Sequence, residues 1–103
     1  MLVAFSVAPT AASSDDGSVA DAVAAAVRIV RESGLPNETN AMFTNIEGEW
    51  DAVMDVVKRA VDAVAAVSPR VSLVLKADIR PGYEGQITAK VERVEQVLAD
   101  GEA

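Results

Sequence analysis

The stretch Met42-Phe43-Thr44-Asn45-Ile46-Glu47-Gly48-Glu49-Trp50 alternates polar groups with apolar ones and ends in a glycine beside an aromatic. Thr44, Asn45, Glu47 and Glu49 offer hydroxyl, amide and carboxylate groups to a small polar ligand. Met42, Phe43 and Trp50 offer soft or flat apolar surface for a ring. Farther along, Lys76-x-Asp78-x-Arg80 puts three charges on one side of an extended segment. Ser6 adds a hydroxyl from the first apolar segment. Together these residues suit a cationic heteroaromatic: carboxylates face its charge, an aromatic stacks on it, and Lys76 and Arg80 hold a phosphate or neutralise Asp78. Each also has a purely structural reading. Trp50 can anchor the start of a helix, Met42 can fill a core, and the charged run can be a strand end or an ion-pair cluster between subunits.

Other chemistries are excluded or poorly supported. The chain has neither Cys nor His, which removes thiolate nucleophiles, Cys/His zinc sites, disulfides and imidazole acid–base catalysis. Gly17 stands alone, and Gly82 and Gly85 lack the pattern of a phosphate-cradling loop. The pairs Asp15-Asp16 and Glu47/Glu49 have no base, nucleophile or metal partner in view, so no catalytic residue is expected. The net charge is −7, with only three lysines against sixteen carboxylates, and this argues against nucleic acid. The same bias is expected of a protein that stays hydrated at high salt, although an ordinary acidic protein reads the same way. No apolar run is long enough to span a bilayer, and the opening residues lack a basic leader segment. The expected location is the cytoplasm.

The elements that must position these residues follow from periodicity. At 103 residues the chain allows one core, so a single domain is expected over 1–99, with a frayed end at 100–103. Leu2–Ala8 alternates as a strand that Pro9 stops, and Thr10–Gly17 reads as a loop. Ser18, with Asp21 three residues on, opens a helix over Ser18–Ser33, with Val19, Val23, Val27 and Val30 as its stripe and Gly34 as its stop. A short strand near Asn37–Asn40 turns at Asn40-Ala41 into a strand through Met42 and Glu47. A second helix spans Trp50–Val67, with Trp50, Val53, Met54, Val57, Val61, Val64 and Ala65 as its buried stripe. Arg70–Arg80 is a strand, broken by Pro81-Gly82. A last helix over Gln86–Ala99 shows Ile87, Val91, Val94 and Leu98 on one side. The order β-α-β-β-α-β plus a helix predicts an α+β, ferredoxin-like sandwich: a four-stranded antiparallel sheet with two helices on one face and a C-terminal helix. The other face carries Ala4, Ala8 and Val74, too apolar to be left to water. A second subunit is the expected cover, which makes the protein a homo-oligomer. Ser6, Thr44, Glu47, Lys76, Asp78 and Arg80 are expected to converge on that face or its edge.

The chain resembles the small YkoF-like thiamine-binding proteins over nearly its full length. The likeness lies in Val3-Ala4-Phe5-Ser6-Val7-Ala8-Pro9, in Met42 through Met54 and in Lys76-Ala77-Asp78-Ile79-Arg80, with Thr44-x-Ile46-Glu47-Gly48-Glu49-Trp50 the most specific part. This resemblance implies a ferredoxin-like fold, dimers that pair into homotetramers, and non-enzymatic binding of thiamine or its hydroxymethylpyrimidine moiety, with no required cofactor. Carried over by position, the ligand-facing residues are Ser6, Met42, Thr44, Glu47, Lys76, Asp78 and Arg80. Where such proteins often carry Pro-Met-Gly-Thr, this chain has Ala41-Met42-Phe43-Thr44. Phe43 therefore either narrows a pocket or supplies a stacking face. The alternative function is a structural or regulatory homo-oligomer with no small ligand.

Overall fold

A computed structural model of the chain describes residues 1–10 and 18–101. The expected Thr10–Gly17 loop, and Asp15-Asp16 with it, lies almost wholly outside them. The element order is β1 (Leu2–Pro9), α1 (Ser18–Glu32), β2 (Asn37–Thr39), β3 (Thr44–Glu47), α2 (Trp50–Ala65), β4 (Val71–Asp78) and α3 (Gln86–Gly101). The four strands form one sheet in the order β2-β3-β1-β4, antiparallel throughout. This is the ferredoxin-like α+β sandwich that the element order predicts.

Strand register divides the sheet into two unlike faces. Val3, Phe5 and Val7 of β1 point to the face that carries α1 and α2, where Ile46 lies opposite Val3. Leu2, Ala4, Ser6 and Ala8 point the other way, because successive side chains alternate. The core is closed by Ala22, Ala26 and Val30 of α1 and by Val53, Val56, Val57, Ala60 and Val64 of α2. The first set differs from the valine stripe expected for α1. Val23 and Val27 are only half-buried, and the alanines face inward, where a small side chain lets two helices and a sheet approach closely.

The stripe of α2 is also rotated from expectation. Val56 and Ala60 are buried, whereas Trp50 is 54% exposed and Ala65 is exposed. Trp50 stands in the first turn of α2 and is exposed although Val53, three residues on, is fully buried in the core. Met54 and Val61 remain half-buried. Helix α1 ends at Gly34, whose φ of 79° is a conformation glycine adopts without strain. Helix α3 runs to Gly101, past the expected end at Ala99.

The turn between β3 and α2 is closed by three hydrogen bonds. The Gly48 N–H donates to the Met1 carbonyl at 3.0 Å, and the Met1 amino group donates to the Gly48 carbonyl at 2.9 Å. The Glu47 N–H donates to the Pro36 carbonyl at 3.0 Å. A Cβ on Gly48 would meet Val53 at 3.2 Å and Leu35 at 3.3 Å, so a glycine is needed here for close approach. Among the described residues, no helix is long and apolar enough to cross a membrane.

Candidate functional site

The candidate residues do not converge on one place. They divide between the two ends of the sheet, with Lys76 alone between them. Thr44 is the clearest departure from expectation. It pairs with Phe5 and so lies on the helix-bearing face, only 8% exposed, and not on the open face with Ser6.

At one end, the β2–β3 turn builds a cleft of about 210 Å³. Asn40 makes this turn. Its Oδ1 accepts hydrogen bonds from the Met42 and Phe43 N–H groups, both at 2.9 Å, and its own N–H donates to the Phe43 carbonyl at 3.0 Å. An asparagine that mimics the backbone in this way tightens a turn locally. Glu38 and Asn45 brace the hairpin across its two strands, the Asn45 amide donating to the Glu38 carboxylate at 3.2 Å. The cleft is walled by Phe5, Ser6 and Thr44 from the sheet, Val23 and Val27 from α1, and Met42 and Phe43 from the turn. Met42 lines the cleft but is 74% exposed, whereas Phe43 is half-buried. The arrangement offers apolar walls, one buried hydroxyl and an exposed thioether, which suits a flat ring with a few polar substituents.

At the other end, Glu47 and Asp78 flank Leu2 on the open face. Both carboxylates are engaged with α3. Glu47 is 5% exposed, and its two oxygens accept the N–H groups of Gln86 at 2.9 Å and Ile87 at 3.1 Å. These amides belong to the first turn of α3, where N–H groups have no partner within the helix, and a carboxylate there is favoured by the helix dipole as well. Asp78 accepts a hydrogen bond from the Lys90 ammonium, one turn farther along α3. That bond and the lysine's charge hold the Asp78 carboxyl below its ordinary pKa, with Arg80 and Lys76 adding smaller pulls in the same direction. Arg80 lies beyond the strand and stacks over the Tyr83 ring at 3.5 Å. The crevice among these groups is about 10 Å³, room for one water at most.

Sequence reasoning placed the turn at Asn40-Ala41, where Asn40 builds it, but missed Lys90 as the partner of Asp78 and the α3 amides as the partners of Glu47. Asn40 had a local signal, since asparagine favours turns. The other two pairings join residues 12 and about 40 positions apart, and nothing local announces them.

The fold and site define a class of protein: a ferredoxin-like sandwich with a cleft at its hairpin and a C-terminal helix capped from the sheet. A family model described as "Thiamine-binding protein" matches residues 3–95, and the chain belongs to that family. It is 54% identical over 99 residues to a UPF0045 protein of Mycobacterium bovis, covering 95% of this chain and 94% of the relative. Among solved structures, it resembles a domain of unknown function, DUF77, from Bacillus cereus, at 37% identity with a TM-score of 0.76, covering 87% of this chain and 85% of that one. It also resembles a hypothetical protein of Methanocaldococcus jannaschii, at 29% identity with a TM-score of 0.79, covering 91% and 94%.

Proposed function

We propose that this protein binds thiamine or its hydroxymethylpyrimidine moiety, without turning it over, and does so as a homo-oligomer. The observation that carries the reading is the hairpin cleft, which gathers Ser6, Met42, Phe43 and Thr44 in a chain that belongs to the thiamine-binding family. In this reading the Thr44 and Ser6 hydroxyls hydrogen-bond the substituents of the pyrimidine. Phe43 and Met42 cover its faces. A volume of about 210 Å³ lies below the roughly 300–1,000 Å³ of pockets that enclose a drug-sized ligand, so one ring is held and the remainder of a two-ring ligand projects outward. Glu47 and Asp78 stand about 13 Å away, four residues along β1. They act through α3 and do not touch a ring seated in this cleft.

The test is thermal unfolding of protein freed of retained ligand, with thiamine, its phosphates or hydroxymethylpyrimidine added. Ligand at a hundred times its Kd stabilises by about 2.7 kcal/mol per site, which raises Tm by several degrees for a domain of this size. A rise with hydroxymethylpyrimidine as well as thiamine, abolished by Phe43→Ala, is the expected result. No rise with any of them favours the second reading, a structural or regulatory assembly with no small ligand. The engagement of Glu47 and Asp78 with α3 supports that second reading, since both carboxylates are already partnered within the chain.

A further inference from the structure

A second cavity lies at the Glu47 end of the sheet, away from the hairpin cleft. Its volume is about 410 Å³, against about 210 Å³ for the cleft, and this falls within the roughly 300–1,000 Å³ of pockets that enclose a small organic molecule. Three segments build it. Leu35-Pro36 leads into β2 and is fixed by the Glu47 N–H on the Pro36 carbonyl at 3.0 Å. Glu49 and Ala52 come from the start of α2. Tyr83 and Glu84 come from the loop before α3, which turns where the Tyr83 N–H donates to the Arg80 carbonyl at 3.2 Å.

The walls are apolar or aromatic at Leu35, Pro36, Ala52 and Tyr83, and acidic at Glu47, Glu49 and Glu84. No Lys or Arg lines the cavity. Its one cation is the Met1 amino group, whose hydrogen bond goes to the Gly48 carbonyl, so three carboxylates stand against one ammonium. Glu47 is occupied by the α3 amides. The other two are exposed, and the fold makes no use of their charge. Glu49 stands at the N-cap of α2 without a side-chain cap hydrogen bond, and neither Glu49 nor Glu84 joins an ion pair among the described residues. A metal ion is a poor match, since among the described residues no three acidic groups lie close enough to hold one. An anion is a poor match too. The α2 N-terminus attracts negative charge, but Glu49 and Asp51 already supply two carboxylates there. Separated carboxylates around an apolar surface match a larger, organic cation.

We propose that this cavity is a second binding site, for a small organic ammonium with an apolar or aromatic body. The Glu49 and Glu84 carboxylates attract the ammonium, and Leu35, Pro36 and Tyr83 take up the body. Arg80, stacked over Tyr83 at 3.5 Å, lines the neighbouring groove but not this cavity, so no guanidinium competes for the carboxylates inside it. The Tyr83 ring adds a weak attraction for a cation. The inference goes beyond the proposed function: the two cavities share no lining residue, and this one requires nothing of thiamine.

The test is an amide NMR titration of the full chain with three probes that share one body: phenethylammonium, 2-phenylethanol and phenylacetate. Phenethylammonium should shift the amides of Gly48, Glu49, Ala52 and Glu84. It should also shift the indole N–H of Trp50, the chain's single tryptophan, which lines the adjoining groove with Glu49 and Tyr83. Added salt should weaken it, because the attraction is between charges near solvent. 2-Phenylethanol should bind about tenfold more weakly, and phenylacetate more weakly still. Glu49→Gln combined with Glu84→Gln removes both charges and keeps their shape. It should weaken phenethylammonium about fivefold and leave the response to hydroxymethylpyrimidine unchanged. Ala52→Leu, at an exposed position that a helix accepts readily, should fill the cavity and abolish binding. Equal affinity for the alcohol, undiminished binding in Ala52→Leu, or no shift of these amides at millimolar phenethylammonium would each overturn the proposal. Absence of any response to thiamine or hydroxymethylpyrimidine sinks the ligand reading alone, so the two failures are distinguishable.

Discussion

Helices α2 and α3 are both sixteen residues long, and both carry an apolar stripe at helical spacing. Helix α2 buries Val53, Val56, Val57, Ala60 and Val64 against β1 and α1. Helix α3 buries none of its residues. What attaches it to the sheet is polar: two amides on Glu47 and one ammonium on Asp78. Periodicity thus reports that a helix has a side to hide, and the rest of the fold decides whether anything in the same chain hides it. An apolar stripe with no cover within the protomer means a helix held by a few hydrogen bonds and available to a partner.

The sharpest way to break this contrast is to remove volume from each region in turn. Ile46, in β3 and part of the core that α1 and α2 close, is fully buried. Ile46→Ala should cost about 2–5 kcal/mol in chemical denaturation, since it loses transfer energy and leaves a cavity. Val94→Ala in α3 should cost less than about 0.5 kcal/mol in the dilute, dissociated protein. Equal costs would mean that α3 packs on its own protomer, and the contrast would fail.

Much of the fold could be read from the sequence because its signals are local. The alternation of Val3, Phe5 and Val7, the stops at Pro9 and Gly34, and the order of the elements each depend on residues a few positions apart. What could not be read depends on register and on distant partners. Thr44 was expected among the open-face residues, yet its pairing with Phe5 turns it to the core face. A shift of one position in β3 reverses every side chain, and a four-residue strand gives little pattern to fix it. Trp50 was expected in the buried stripe of α2, yet it is exposed while Val53, three residues on, is fully buried. The candidate site was legible as a list of residue types. Its division into a hairpin cleft and a helix-capping pair was not, because Glu47 and Asp78 look the same in sequence whether they wait for a ligand or hold a helix.

Glu47 tests that last distinction with a smaller effect. Glu47→Gln keeps the shape but replaces one acceptor oxygen with an amide nitrogen, so the Gln86 and Ile87 N–H groups can no longer both be satisfied. A loss of about 1 kcal/mol is expected at this helix start. Hydrogen exchange should show it as faster exchange confined to the first turn of α3, with the α2 amides unchanged. Loss of protection throughout the core would mean that Glu47 supports the sheet and not α3.

The smallest expected effect is at Asp78, and its sign follows from the direction of its shift. Lys90 stabilises the charged carboxylate, so the carboxyl titrates in the folded chain below its ordinary value of 3.8. A group depressed in this way contributes stability above its unfolded pKa and loses it as the pH falls through the folded one. Acidification from pH 5 downward should therefore loosen α3 near Lys90. Both partners are 43% exposed at their side chains, so solvent screens the pair and the contribution is small. Asp78→Asn should leave α3 amides beyond Lys90 exchanging at the same rate at pH 5 and pH 3 once the intrinsic pH dependence is removed, while the unaltered chain shows a faster rate at pH 3. If both behave alike, the Lys90 contact contributes nothing to docking, and α3 is held to its own sheet through Glu47 alone.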